Sequence, residues 1–362
     1  MKAGWKRVKL GDCLDFLSGK AKPKISGSYP IYGSNGIIGM SPEYMYENAF
    51  IIGRVGAVGE LVWCAEKFWA SDNTIVARPK ADIIDIAFAF YTLRVSNLKG
   101  DVHGSAQPLI TKSGLRDIDC WLPPLPTQRR IAAVLGALDD KIELNRKMNA
   151  NLEAQAQTLF KSWFVDFEPW GGKMPKEWKM CTLGDISTNV RERVGCQDRV
   201  VLSAVATGKL VPSDVYFTKQ VFSADISKYI IVDENDFAYN PSRINIGSIG
   251  INDLGVKGCV SPVYVCVRFA NEYENYFRFF IKSKQFQDEA KVRAIGSVRQ
   301  SLNYSDFALI ECCYPTVEDV RLFNNAYCSL HQLQRSVENE SRKLAETRDA
   351  LLPKLMSGEV EA

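Results

Sequence analysis

The 362-residue chain has two histidines, no C-x-x-C pair among its ten cysteines, and no eighteen-residue apolar run. Each absence excludes something. A membrane-spanning helix needs about eighteen or more consecutive apolar residues, so a bilayer span is not expected. His103 and His331 are too few for a histidine-based metal site. Only Cys312 and Cys313 are adjacent, which points to small buried thiols in a reducing cytoplasm rather than a disulfide frame or a zinc site. The opening MKAGWKRVKLGD has no apolar core of a signal peptide. Charge of one sign is missing too: the net charge is +3. Residues 1–126 carry 15 basic and 12 acidic side chains, and residues 166–317 carry 18 of each. A nucleic-acid surface must therefore come from local clusters, such as Lys20, Lys22 and Lys24 in SGKAKPK.

Catalytic motifs are also lacking. No G-x-x-x-x-G-K-[ST] is present to cradle a triphosphate. GRVGAVG (53–59) has the wrong spacing for a dinucleotide fingerprint, and the following LVWCAEKFWA is strand-like, so it reads as a turn between strands. NPSR (240–243) differs from the N-P-P-aromatic loop of amino-methyltransferases, because Ser242 and Arg243 stand where a proline and a base-stacking aromatic are needed. No nucleophile stands beside a base. The sequence predicts a chain without a catalytic centre or metal of its own.

What is present is written twice. WKRVKLGD (Trp5–Asp12) returns as WKMCTLGD (Trp178–Asp185), and HGSAQPLITKSGLRDIDCWLPP from His103 returns as IGSVRQSLNYSDFALIECCYP from Ile295. Between these marks each half keeps one order: apolar strand, glycine-rich turn, further strands, aromatic helix. The expected strands are 50–54 and 74–79 in the first half, and 236–240 and 259–269 in the second. The expected helices are 86–95 and 276–283.

A long helical segment follows each half. Ile131, Leu135, Leu138, Ile142, Asn145, Asn149, Leu152, Ala156, Leu159 and Trp163 alternate spacings of four and three. The same pattern recurs at Phe323, Tyr327, Leu330, Gln334, Val337, Ser341, Leu344, Arg348, Leu351 and Leu355. Seven-residue periodicity predicts an intramolecular antiparallel coiled-coil pair, with Asn145, Asn149 and Gln334 as register-setting polar residues. Such a pair would act as a ruler: adding one heptad to both helices would lengthen it by about 10 Å, or roughly three base pairs. Pro353 is expected to end or kink the second helix near Leu352. The fold class is thus α+β: two mixed α/β domains in pseudo-twofold repeat, separated by two long antiparallel helices. The expected boundaries are 1–126, 127–165, 166–317 and 318–362. The aromatic stretch TLFKSWFVDFEPW (158–170) is too apolar to face water and must cap the coil, pack on a globular half or bind a partner.

Glycine-rich turns let backbone approach a ligand, and the amides, hydroxyls and arginines beside them suit base edges and phosphates. By chemistry and loop placement the candidates are Lys22, Tyr32, Ser34, Asn35, Arg54, Arg193, Arg243 and Arg299.

The whole chain resembles the DNA-sequence specificity subunits of type I restriction-modification systems. The resemblance rests on LPPLPTQRRIAAVLGALDDKIELNRKMNANLEAQAQTLFKSWFVDFEP (122–169), LAETRDALLPKLMSGEV (344–360), the paired W-K-x-x-x-LGD, NPSRINIGSIG and GSAQP. It implies two target-recognition domains reading the halves of a split site in double-stranded DNA. It also implies docking of methyltransferase subunits, which use S-adenosylmethionine, and of restriction subunits, which use ATP and Mg. Through the shared motifs it adds Gly104, Ser105 and Gln107, with Gly296, Ser297 and Gln300, as DNA contacts. It assigns Phe160, Trp163, Phe164 and Phe167 to a hinge and docking surface. The rival readings are a coiled-coil adaptor whose globular ends bind protein and an enzyme that modifies DNA unaided.

Overall fold

The computed structural model describes residues 4–99, 109–217, 219–270, 272–294 and 301–362. The candidates Gly104, Ser105, Gln107, Gly296, Ser297, Arg299 and Gln300 lie outside the described residues. The chain divides into two compact units: residues 1–148 with 336–362, and residues 149–335. Each mixes sheets and helices, and each takes part of both long helices, Leu125–Phe164 (the central helix) and Val317–Ser357 (the C-terminal helix).

The repeat in the sequence is a repeat of topology. In the first unit Leu14–Ser18, Thr74–Pro79, Ala49–Gly53 and Leu61–Cys64 form an antiparallel sheet in that order. In the second, Ser187–Val190, Val265–Phe269, Phe237–Tyr239 and Ile249–Ile251 do the same. A second sheet also matches. Tyr29–Gly33 pairs antiparallel with Gly36–Ser41 and parallel with Trp69–Ala70. Val200–Val205 pairs antiparallel with Lys209–Pro212 and parallel with Gly258–Val260. The expected long strand 259–269 is therefore two strands in two sheets. A turn separates them, closed by the Tyr264 amide on the Ser261 carbonyl at 3.0 Å, with Pro262 inside it. The first aromatic helix spans Ile86–Val95, and its counterpart is Glu274–Phe280, earlier and shorter than expected.

The LGD motif has a physical reason. In both units a strand ends in a four-residue helix, Leu10–Cys13 or Leu183–Ile186, capped by its own aspartate. The Lys9 amide donates to Asp12, and the Thr182 amide to Asp185, each at 2.9 Å. Hydrogen bonding from the Thr182 hydroxyl and amide holds the Asp185 carboxyl below its ordinary range. The leucine amides then reach the Ile118 and Ile310 carbonyls, both at 2.8 Å. The glycine lets a second short helix press close. A Cβ on Gly11 would stand 3.0 Å from Cβ of Arg116, and one on Gly184 would stand 2.9 Å from Cβ of Ala308.

Each proposed seam position in the two long helices is buried or half-buried. In the first unit, Asn145 is fully buried and its amide donates to Glu340 at 2.8 Å. Gln128, also buried, fixes the start of the central helix. Its oxygen accepts from the Asp85 amide at 2.8 Å, and its nitrogen donates to the Ile83 and Pro123 carbonyls. Replacing Gln128 by alanine leaves these backbone groups unpaired. Denaturant unfolding should show a loss of about 1–3 kcal/mol, confined to the first unit.

Pro353 does not end the C-terminal helix, which continues to Ser357. Leu352, Leu355 and Met356 are buried in the first unit's core, and that packing carries the last turn past the missing N–H. The helix stops at Gly358 (φ +74°), whose amide bonds the Leu355 carbonyl while the Glu359 amide bonds that of Lys354. This is a left-handed glycine cap closing two orphan carbonyls.

The aromatic end of the central helix belongs to the second unit's core. Phe164 packs against Trp178, Tyr276 and Phe323, with ring centroids 5.6, 5.0 and 5.0 Å away. Phe160 meets Tyr276 and Phe279. Both phenylalanines are buried and are removed from the proposed docking surface, because their apolar area is already covered within the unit. Trp163 and Phe167 are half-buried at the edge of the same cluster.

Candidate nucleic-acid interface

In the first unit one backbone carbonyl gathers several candidates. Asn73 O accepts from the Ser34 hydroxyl at 2.6 Å and from the Arg54 amide at 2.9 Å. Ser34 and Asn35 form the turn between two strands, and Arg54 opens the loop that GRVGAVG builds between Ala49–Gly53 and Leu61–Cys64. Gly56 and Gly59 hold positive φ in that loop, as a turn reading requires. Asn35 is exposed and Arg54 half-exposed.

Tyr32 sits lower on the same strand, edge-on to Phe68, and burial pushes its phenol above the usual value, helped by a hydrogen bond with Cys64. That makes Tyr32 a support for the turn more than a reader. Lys22 lies apart and donates to the Ile38 carbonyl at 3.0 Å. The Ile110 amide reaches the Arg54 carbonyl at 3.5 Å, so the chain after residue 108 returns to the same rim.

The second unit repeats the arrangement with other residues. Residues Pro241–Ile246 form a 3-10 turn capped by the Asn240 side chain, with Arg243 exposed on it. The Ser248 hydroxyl donates to the Ala204 carbonyl at 2.6 Å, joining this loop to the neighbouring strand pair. The Leu302 amide bonds Pro241 O at 3.2 Å, as Ile110 bonds Arg54. By that bond the counterpart of Arg54 is Pro241, and Arg243 stands two residues on. Arg193 is on a different loop, donating to the Lys228 carbonyl at 3.0 Å.

Sequence reasoning missed three exposed residues on these rims. Thr207 lies in the turn that corresponds to Ser34 and Asn35, and only the strand pairing reveals the match. Lys112 and Arg116 lie in KSGLR, where the repeat pairs them with uncharged residues and hides their charge.

Among the described residues no group of three or more His, Cys, Asp or Glu could hold a metal ion, and no helix is long and apolar enough to cross a membrane. All ten cysteines are free, and most are buried.

Residues 2–154 match the family described as type I restriction modification DNA specificity domain. Over 376 residues the chain is 23% identical to the HindI specificity subunit of Haemophilus influenzae, covering 82% of each. It is 25% identical over 308 residues to the MjaIX specificity subunit of Methanocaldococcus jannaschii, covering 78% of this chain and 70% of that protein. The chain is thus similar to type I restriction-modification specificity subunits over most of its length. Its fold matches the solved S subunit of M. genitalium with a TM-score of 0.60 and 16% identity, covering 98% of both chains.

The span matched by the family takes in the first globular half and the central helix as far as residue 154. The two four-stranded sheets of the second unit are built from residues 187–269, which the family match does not reach.

Proposed function

We propose that this specificity subunit reads a bipartite site in double-stranded DNA, one half through the loops of each unit. Methyltransferase and restriction subunits dock on it in the cytoplasm and supply S-adenosylmethionine, ATP and Mg chemistry. The chain itself does no catalysis. The observation that carries this reading is the twofold use of one topology, with a glycine-bearing, arginine-bearing loop on each matching rim. An adenine to be methylated must leave the helical stack, and the modification subunits would hold it.

Methylome sequencing of DNA modified by the assembled complex tests the reading. The expected result is methylated adenine in a motif of two fixed blocks separated by a spacer of fixed length. A single uninterrupted motif, or S-adenosylmethionine turnover by the isolated chain, would overturn it.

Arg54 and Arg243 give a finer test. As base readers, alanine at either should relax one position in one block, at about 1–3 kcal/mol. As phosphate contacts they should lower the salt dependence and leave the motif intact. Wild-type affinity, salt slope and motif in both variants would make these arginines structural.

A further inference from the structure

In the first unit the strand Leu14–Ser18, the loop at Arg54 and the short helix Lys112–Arg116 enclose a cleft of about 430 Å³. Arg54, Lys112 and Arg116 line it, with the hydroxyls of Ser18, Thr111 and Ser113. No carboxylate lines it, and none of the three cations has an ion pair among the described residues. Three arginines elsewhere in the unit are ion-paired: Arg7 with Asp119, Arg78 with Asp15 and Arg94 with Asp139. Three like charges gathered in a concave site repel one another, and an anion entering it relieves that repulsion.

The second unit has the same elements, but its short helix lacks both cations. Thr111 and Asn303 cap the matching short helices, each accepting from the amide three residues on. That register sets Tyr304 opposite Lys112 and Ala308 opposite Arg116, while Pro241 replaces Arg54. The Tyr304 hydroxyl bonds the Ser187 carbonyl at 3.3 Å. The two short-helix positions are therefore uncharged in the second unit, and one of them is tied back to the protein.

We propose that the cleft of the first unit grips the phosphodiester backbone of duplex DNA through Lys112 and Arg116, and that the second unit has no equivalent grip. This assignment rests on the DNA-reading function proposed above. Arginine offers a planar fork for phosphate oxygens, lysine a compact charge, and the hydroxyls supply further donors. Such contacts position the duplex and carry no sequence information. The two halves of the site would then be read with unequal electrostatic support.

The test uses the assembled complex carrying Lys112→Gln with Arg116→Gln, and measures affinity for its own duplex over a salt series. Losing two phosphate contacts should reduce the slope of log affinity against log salt by roughly 1.8, with the methylated motif unchanged. A charge-keeping swap, Lys112→Arg with Arg116→Lys, should restore the slope. Both residues are exposed, so thermal melting should match wild type. A control, Lys173→Gln with Lys176→Gln, removes equal charge from outside the cleft.

An unchanged slope in the cleft variant, an equal fall in the control, or an altered motif would each overturn the assignment while leaving the DNA-reading function standing. Inorganic phosphate at constant ionic strength separates the two sources of the anion. Competition with the duplex in wild type but not in the cleft variant supports the grip; stabilisation of the chain by phosphate with no competition assigns the cleft to a free anion instead. A wild-type complex with no sequence-dependent binding would remove the function and this assignment together.

Discussion

Phe164→Ala is expected to destabilise the second unit by about 3–5 kcal/mol, the range for emptying a buried phenylalanine site. The ring is 5% exposed and touches aromatic partners from three directions: Trp178 and Tyr276 in the globular part and Phe323 on the C-terminal helix. No flexible neighbour can collapse into the space, because Phe160, Trp163 and Phe279 are themselves wedged among rings. Trp163, Trp170 and Trp178 form part of the same cluster, so near-ultraviolet dichroism reports directly on it. The variant should lose that signal at lower denaturant than wild type, with the first unit's transition unmoved. A loss below about 1 kcal/mol would mean that the aromatic end of the helix is not part of the core.

The next largest effect is expected at Asp139. Its carboxylate receives the Tyr91 hydroxyl at 2.8 Å, Arg348 at 2.7 Å and Arg94 at 3.3 Å, joining the aromatic helix, the central helix and the C-terminal helix of the first unit. The Arg348 side chain is only 13% exposed. Asp139→Ala leaves that guanidinium half-stranded, with only the exposed Asp349 at 2.8 Å, and strands the Tyr91 hydroxyl; the expected cost is about 2 kcal/mol. Adding Arg348→Met to Asp139→Ala removes the stranded charge and should recover much of the loss, because an apolar replacement of a buried pair is often nearly neutral. Urea unfolding of the single and double variants checks both. If the double variant is no more stable than Asp139→Ala alone, the stranded charge is not the cause.

Local signals made parts of this fold readable from the sequence. The seven-residue spacing located the seams because burial of one helical stripe leaves a periodic record. LGD stood out as a repeated motif, but its role as a turn capped by its own aspartate shows only in the fold. Helix Ile86–Val95 was legible from the spacing of its aromatic residues.

Where distant residues decide, the sequence is silent. The parallel pairing of Tyr29–Gly33 with Trp69–Ala70 joins strands some forty residues apart and leaves no local mark. The break at Ser261–Tyr264 looks like continuous alternation, because its apolar residues simply change sheets. Pro353 misled because local propensity favours a stop, whereas burial of Leu355 and Met356 outweighs it.

The candidate interface follows the same division. Glycine-rich loops announced themselves, but the meeting of Ser34 and Arg54 at Asn73 depends on contacts 39 and 19 residues apart in sequence. The cleft cations escaped notice for a related reason. Lys112 and Arg116 look like ordinary surface charges until the sheet and the Arg54 loop are folded against them.

The glycine that ends the C-terminal helix has one more consequence. A Cβ on Gly358 would stand 3.1 Å from the Trp5 indole, so the two outer parts of the polypeptide abut within a single unit. The repeat is in that sense cyclic: half, helix, half, helix, returning to where it set out. A short flexible connector from Gly358 to Trp5 would close residues 5–358 into a ring with little loss of chain entropy. The ring could then be opened at Gly171–Gly172, where both residues have positive φ and no atom approaches a would-be Cβ within 4 Å. A circular permutant opened there begins with the second half and ends just after the aromatic end of the central helix. It keeps every contact described within either unit, although the order in which the two halves leave the ribosome is reversed.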